Sequence, residues 1–520
     1  MSQSESYWLD KTLPQLLREN VQRDPDGPSL IWDGGRLSWT ELDHRSSCVA
    51  SGLSEIGVKT GDVVSCQLAN RPEFIVLHHA LAKCGAVFNP IHLAYRGAET
   101  QHIVDFSESS WLVVGPSVKG FSYLDMALEI KSRLSGLKQI VAVGEPDREE
   151  GIPFERLEQT PARSLSVEPR PDDPFMMFFT SGTTASPKAT IHTYNMRLTN
   201  SWFCARDMGI RKDDGMLCPS PLSHLWALLN YWSSVIQGCP QILLERYRPE
   251  DFRRTVSRGE TTVIMGAPAH AMDLLAPPLL DAEILSRIRR FALSGTTCPP
   301  VLVSRMREVL PNCKPIVFWG MTEMGGAFYT RPEDPPEIIE NTVGRASGPC
   351  VVAVVDEEGQ RLPPGREGEL SIKSPFAIEA YFKNPEATQG SVRAGGWFRT
   401  GDLGKMDPNG NIQILGRQKE LINRGGVKFL PQNVEEVLLR HLAVHMVAIV
   451  GMPDERLGER NACFVVPTAG EAPPSLEDLC QLLEKEGTSK FMWPERLELV
   501  ESLPLTPTGK IQRAVLRERL

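Results

Sequence analysis

Short apolar runs alternate with longer amphipathic stretches over most of this chain. Val63-Val64-Ser65-Cys66-Gln67-Leu68 predicts a strand. Pro72 to Cys84 predicts the helix after it, with Pro72 in the first turn, where an N–H would have no partner anyway. Trp111 to Val114 and Ile140 to Val143 predict further strands. The alternation returns with a helix over Asp251 to Arg258 and a strand over Thr262 to Met265. This is an α/β pattern with mostly parallel sheets. From Val351 to Ile372 the texture changes to short strands and tight turns (Asp356-Glu-Glu-Gly, Pro363-Pro-Gly), which predicts a β-rich subdomain. The stretch after Gly416-Arg417-Gln418-Lys419 predicts a small α+β domain, giving domains over 1–417 and 418–520.

Composition narrows the class. At 520 residues the chain can bury more than one core. Its apolar share of 41% and charged share of 23% are those of a soluble globular protein. A formal charge of -9, with basic residues scattered, argues against a general nucleic-acid surface. The 11 cysteines include no CxxC pair, and reduced, mostly buried thiols are expected. No basic-then-apolar leader opens the chain, no stretch is long and apolar enough to span a membrane, and no peroxisomal ending closes it. A cytoplasmic protein without integral membrane association is the expectation.

The most chemical segment is Thr180-Ser181-Gly182-Thr183-Thr184-Ala185-Ser186-Pro187-Lys188, which follows the apolar run Phe175 to Phe179. A strand leading into hydroxyls, a glycine and a lysine suits a polyphosphate, although it is no Walker A loop. Phe318-Trp319-Gly320-Met321-Thr322-Glu323 puts a ring and a carboxylate at the end of a predicted strand, where open α/β sheets bind ligands. Glu323 suits a Mg²⁺ ion bridging phosphates. Trp397-Phe398-Arg399-Thr400-Gly401-Asp402 reads as a tight turn carrying a carboxylate suited to ribose hydroxyls. Gly416 to Gly426 surrounds a double glycine with charge and reads as a hinge or a mobile loop. Leu503 to Arg513 ends in Thr508-Gly509-Lys510 at a turn. Taken singly, the first segment reads equally as a Ser/Thr-rich surface turn, and for each of the others a buried ring, a plain turn or a solvated loop is the favoured reading.

Together, in this order and spacing, the segments resemble the adenylate-forming superfamily of acyl-CoA synthetases, adenylation domains and beetle luciferases. The likeness covers nearly the whole chain. Gly266-Ala267-Pro268, Gly295-Thr296-Thr297 and Arg424-Gly425-Gly426 are similar to ligases of medium-chain fatty acids and of alicyclic or aromatic acids. The resemblance implies a large N-terminal domain of αβ-layered subdomains with a β-rich subdomain, and a small mobile α+β C-terminal domain. It implies ATP, Mg²⁺ and coenzyme A, a small carboxylic acid as substrate, and a monomer or homodimer.

By that resemblance Thr180, Ser181, Gly182, Thr183, Thr184 and Lys188 hold the β- and γ-phosphates, and Thr180 and Glu323 place Mg²⁺. Gly295, Thr296, Thr297 and Trp319 frame adenine, with Gly320, Met321 and Thr322 beside them. Asp402 and Arg417 hold the ribose. His224 lines the acid pocket. Lys510 bridges the α-phosphate and the carboxylate. Lys419 marks a hinge about which Lys510 leaves and Gly425-Gly426 enters to line a pantetheine tunnel. The chain departs from the family at Ala185 and Ala189, where a methyl could stiffen or block the phosphate loop. It departs also at Trp319 in place of tyrosine, at Glu420, at Leu505, and at Ala227, where a glycine often floors the acyl pocket. An ATP-dependent acyl-CoA ligase is the leading expectation. Transfer of the acyl group to an acyl carrier protein or an amine is the first alternative, and an inactive nucleotide-binding relative the second.

Overall fold

A computed structural model describes residues 7–144, 150–165, 167–180, 188–505 and 511–520. Its described strands form four sheets. The first has seven strands, from Ile152–Pro153 at one edge through Gln139–Ala142, Trp111–Val114, Val63–Gln67 and Val87–Pro90 to Pro174–Thr180 and Lys188–Thr193. All its neighbours are parallel except the last pair, an antiparallel hairpin in which Thr180 faces Lys188. The second sheet has nine strands and a parallel centre: Lys314–Met321, Arg290–Leu293, Val263–Gly266, Met216–Leu217, Gln241–Ile242 and Pro28–Trp32.

The main core lies between these two sheets, around helices Trp39–Glu55, Pro72–Cys84 and Leu225–Gln237. Helix Pro72–Cys84 forms where the sequence predicts it. Pro72 occupies its first turn, and Gly85 closes it at φ +68°, a left-handed value that a side chain would resist. It is apolar nearly all round and buried nearly all round, as a helix between two layers must be. Two histidines pass through this core with it. His78 Nε2 accepts the indole N–H of Trp232 at 3.0 Å, and His79 Nε2 meets the Tyr231 hydroxyl. Burial holds His78 down at about 3.

The third sheet is the predicted β-rich subdomain, with antiparallel strands Val351–Val355, Gly368–Lys373, Trp397–Met406, Val392–Arg393 and Ile412–Arg417. The fourth belongs to the small C-terminal α+β unit. It joins Ile422–Arg424, Val427–Phe429, Val444–Asp454, Gly458–Pro467 and Arg496–Leu499, with helices Gln432–Leu438, Leu476–Lys485 and Arg513–Arg517. A separate core of Ile422, Phe429, Val434, Ile449, Cys463 and Leu479 stabilises it. The chain is thus α/β, with a large N-terminal part and a smaller C-terminal one.

Three local expectations change. The helix predicted from Asp251 spans Pro249–Ser257, because Pro249 starts it two residues earlier. Its following strand spans Val263–Gly266. Trp397 to Asp402 is no tight turn: it lies inside strand Trp397–Met406. The turn-like signal of Thr400-Gly401 comes from a register shift against Gly368–Lys373, with Gly401 at φ +71°. All 11 cysteines are unpaired, and burial pushes the Cys84 thiol up to about 12. Among the described residues no helix is long and apolar enough to cross a membrane.

Candidate active site

The C-terminal ends of the parallel strands converge on one cavity of about 460 Å³. Thr180 ends Pro174–Thr180, Met321 ends Lys314–Met321, and Ala267, Ser294 and Ser220 follow strands of the nine-stranded sheet. His92 and Tyr95 follow Val87–Pro90 from the other sheet. Backbone that has just left a parallel ladder has unpaired groups and free side chains, so ligands collect at this edge.

One part of the cavity is charged. Thr180 and Lys188 face each other as a hairpin pair, and the Thr180 hydroxyl donates to the Lys188 carbonyl at 3.4 Å. The Lys188 ammonium lies 4.9 Å from the centre of the Tyr381 ring. The Tyr381 hydroxyl donates to Glu323 Oε1 at 2.8 Å. Arg399 pairs with Glu369 through Nε at 2.8 Å, and Arg417 Nε lies 2.6 Å from Asp402 Oδ1. Burial, then the charges of Arg417 and Lys188, lower the Lys419 amine from its ordinary range. Cations crowded until one loses affinity for its proton are suited to a polyanion.

Glu323 also answers whether a metal fits. Its carboxylate is 7% exposed and has no cationic partner among the described residues. A buried carboxylate in that state calls for a cation. No described cluster of three metal-ligating side chains exists, so a cation here would take its other ligands from phosphate and water, as Mg²⁺ does. Glu323 therefore fits the expected Mg²⁺, and Thr180 lines the same cavity.

The opposite part is apolar, with Leu225, Trp226, Leu229, Ala267 and Phe318 on its walls. The Trp226 and Phe318 ring centres are 4.7 Å apart. His92 and His224, which also line the cavity, lie roughly parallel, centroids 6.1 Å apart and planes at 24°. His224 caps helix Leu225–Gln237, its Nδ1 accepting the Trp226 N–H at 3.3 Å.

The cavity gathers Thr180, Lys188, His224, Gly295, Gly320, Met321, Thr322, Glu323, Arg417 and Lys419 from the sequence-based set. Trp319 and Asp402 stand behind its wall. Trp319 lies flat on Phe328 at 4.3 Å and donates through Nε1 to Asp402 Oδ2 at 2.8 Å. Thr296 and Thr297 are exposed beside Gly295 and do not line the cavity. Gly425 and Gly426, at φ +61° and +87°, turn the chain between two strands of the C-terminal unit, away from the cavity. Ser181, Gly182, Thr183, Thr184, Ala185 and Lys510 lie outside the described residues.

Two departures resolve physically. Ala189 sits in strand Lys188–Thr193, fully buried beside Val87 and Met177, where a methyl is packing and no left-handed backbone is required. Ala227 is fully buried in the main core and does not face the cavity, whose bulky neighbour is Trp226. Sequence reasoning passed over His92, Tyr95 and Tyr381. Only an Asn89-Pro90 stop after a predicted strand could have drawn attention to His92.

Comparison with known proteins agrees with this geometry. The AMP-binding enzyme family model matches residues 17–382, and the AMP-binding enzyme C-terminal domain model matches residues 433–510. The chain is 30% identical over 519 residues to a medium-chain fatty-acid–CoA ligase of Escherichia coli (strain K12), covering 99% of this chain and 91% of that protein. It is 30% identical over 518 residues to a 2,3-dihydroxybenzoate-AMP ligase of Bacillus subtilis (strain 168), covering 99% and 94%. The crystal structure of ATP-bound MatB from Rhodopseudomonas palustris superposes with a TM-score of 0.87 at 25% identity, covering 97% of this chain and 98% of that one. A cavity that joins a cation-lined end to an apolar end, at strand ends within residues 17–382, together with the two family matches, places this chain in the AMP-binding enzyme family, as an adenylate-forming ligase.

Proposed function

We propose that this ligase activates a medium-chain, alicyclic or aromatic carboxylic acid with ATP and passes the acyl group to coenzyme A. The observation that carries the reading is the single cavity in which Trp226, Phe318 and Leu229 adjoin Lys188, Glu323 and Arg417. An apolar acyl chain and a polyphosphate need these two environments side by side. The relative named as a medium-chain fatty-acid–CoA ligase supports the thiol acceptor.

In the first half-reaction a carboxylate oxygen attacks the α-phosphorus, and the bond to pyrophosphate breaks. In the second, a thiolate attacks the acyl carbon and AMP leaves. A carboxylate is a poor electrophile, whereas the mixed anhydride has a good leaving group, so most of the protein's task is positioning and charge neutralisation. Lys188, with Thr180 and the loop from Ser181 to Thr184, holds the β- and γ-phosphates. Glu323 and Thr180 would hold Mg²⁺, which when bound would supply charge neutralisation at the phosphates. Arg417, backed by Asp402, holds the ribose, and Gly295 borders adenine. His224 faces the acid, and Lys510 supplies charge at the α-phosphate. Residues 418–520 turn about Lys419 between half-reactions, bringing Gly425-Gly426 to the pantetheine arm.

The relative named as an AMP ligase favours a second reading, in which a carrier protein or amine takes the acyl group. Mass spectrometry of products separates the two. The enzyme is given ATP, Mg²⁺, CoA and a panel of octanoate, cyclohexanecarboxylate, benzoate and longer acids. Acyl-CoA with AMP is the expected result. Acyl-AMP without acyl-CoA supports the second reading, and no product with any acid contradicts both. Lys510→Ala is expected to abolish adenylate formation while sparing thiolysis of supplied acyl-adenylate; equal loss of both in a folded variant contradicts the role given to Lys510.

A further inference from the structure

His92 comes from the seven-stranded sheet, whereas His224 comes from the nine-stranded one, yet both rings line the same cavity. The link between them is direct. His92 Nδ1 is hydrogen-bonded to Ser223 Oγ at 2.8 Å, next in sequence to His224. The backbone that carries His92 is held as well. Gln67, fully buried, donates through Nε2 to the carbonyls of His92 at 2.8 Å and Tyr95 at 3.1 Å. A ring held at its backbone, at one nitrogen and by a neighbouring Tyr95 ring 5.6 Å away has few orientations left. Its other nitrogen, Nε2, has no hydrogen-bond partner among the described residues, although the residue borders the cavity.

Resting on the adenylation reading above, we propose that His92 holds the carboxylate of the acid. Its Nε2–H donates to a carboxylate oxygen beside His224, while the Ser223 hydroxyl donates to its Nδ1. The proposal fixes the tautomer: with the Ser223 hydroxyl as donor to Nδ1, the ring proton sits on Nε2. The charge state suits the task. Burial holds His92 down at about 4, so the ring is neutral at pH 7. A neutral donor orients an attacking carboxylate without cancelling the charge that makes it a nucleophile, as an imidazolium would. The cavity's arginines are otherwise engaged, Arg417 with Asp402 and Arg399 with Glu369, and Lys188 lies over Tyr381 beside Glu323. The histidine wall is therefore where the acid's carboxylate can be held without competing for the groups that serve the phosphates.

The test uses the two amides that imitate the two ring nitrogens. In ATP–pyrophosphate exchange with the best acid of the panel, His92→Phe is expected to raise the acid KM by ~10-fold or more and leave the ATP KM within twofold. His92→Gln, whose amide reaches the place of Nε2, is expected to recover most of that loss, and His92→Asn, which imitates only Nδ1, is not. Rescue by Asn and not by Gln, or an acid KM within twofold of wild type in all three variants, overturns the proposal. Calorimetry of the free enzymes with AMP and with an acyl-sulfamoyl adenosine gives a readout independent of turnover. His92→Phe should weaken the acyl compound ~10-fold and AMP not at all; equal weakening of both overturns the proposal and points to disturbed packing. If the wild type exchanges pyrophosphate with no acid at all, the adenylation reading itself fails, and this inference with it.

Discussion

Trp319→Phe removes the indole N–H and tests how the ribose end of the site is built. Asp402 is 3% exposed, and its carboxylate is held from two sides, by Arg417 Nε at 2.6 Å and Trp319 Nε1 at 2.8 Å. Phenylalanine keeps a ring to lie on Phe328, now 4.3 Å away, but leaves Oδ2 without this donor. A hydrogen bond to a buried charged group contributes about 1.5–3 kcal/mol. Arg417 still anchors Oδ1, so the lower part of that range applies, roughly 1.5–2 kcal/mol, which is ~10–30-fold. If Asp402 backs Arg417 at the ribose, the loss appears as a raised ATP KM in ATP–pyrophosphate exchange, with the acid KM unchanged. A double-mutant cycle with Asp402→Asn isolates the pair and should give a coupling of about 1 kcal/mol or more. An ATP KM within twofold of wild type in a folded Trp319→Phe enzyme, or a coupling near zero, refutes the reasoning.

Trp226→Ala should open the apolar end of the cavity and shift the ratio of kcat/KM toward longer or bulkier acids by ~10-fold, measured in competition by mass spectrometry; an unchanged order would show that Trp226 does not bound the acid. Gly326→Ala would bring a Cβ within 2.3 Å of Phe318 Cζ and 3.0 Å of Cys204 Sγ. It should destabilise the fold by about 1–3 kcal/mol, read as a lower urea midpoint, and an unmoved midpoint would contradict that crowding. The buried histidines make stability fall in acid. His78 is held at about 3 against an ordinary 6.5, so the unfolded chain takes up its proton first. Its contribution is full above pH 6.5 and is lost as pH falls toward 3, about 2 kcal/mol by pH 5. His79 and His192 shift in the same direction through burial. Urea unfolding at pH 7 and pH 5 should show the loss, and His78→Gln, which keeps an acceptor for Trp232, should lessen it; an equal loss in both proteins would sink the assignment.

Much of the architecture was legible locally. Helix Pro72–Cys84 and strand Trp111–Val114 fall where proline, glycine and apolar runs put them, since these signals act within a few residues. The motifs around Thr180, Trp319, Asp402 and Arg417 were legible for the same reason: hydroxyls, glycines and charges cluster where backbone leaves a strand. What local pattern could not supply was which segments meet. The Asp402 segment read as a turn because a glycine in left-handed conformation looks alike in a turn and in a bulged strand. Ala227 read as a pocket floor and Ala189 as an obstacle, although one faces the core and the other lies in a strand. Tyr381 finds Glu323 across 58 positions, and His92 finds Ser223 across 131. Sequence alone determined the elements, the family and the inventory of charged groups, because these depend on short-range periodicity and spacing. Which side chains face the cavity, and which atom answers which, was decided only by tertiary structure, because it depends on packing between sheets distant in the chain.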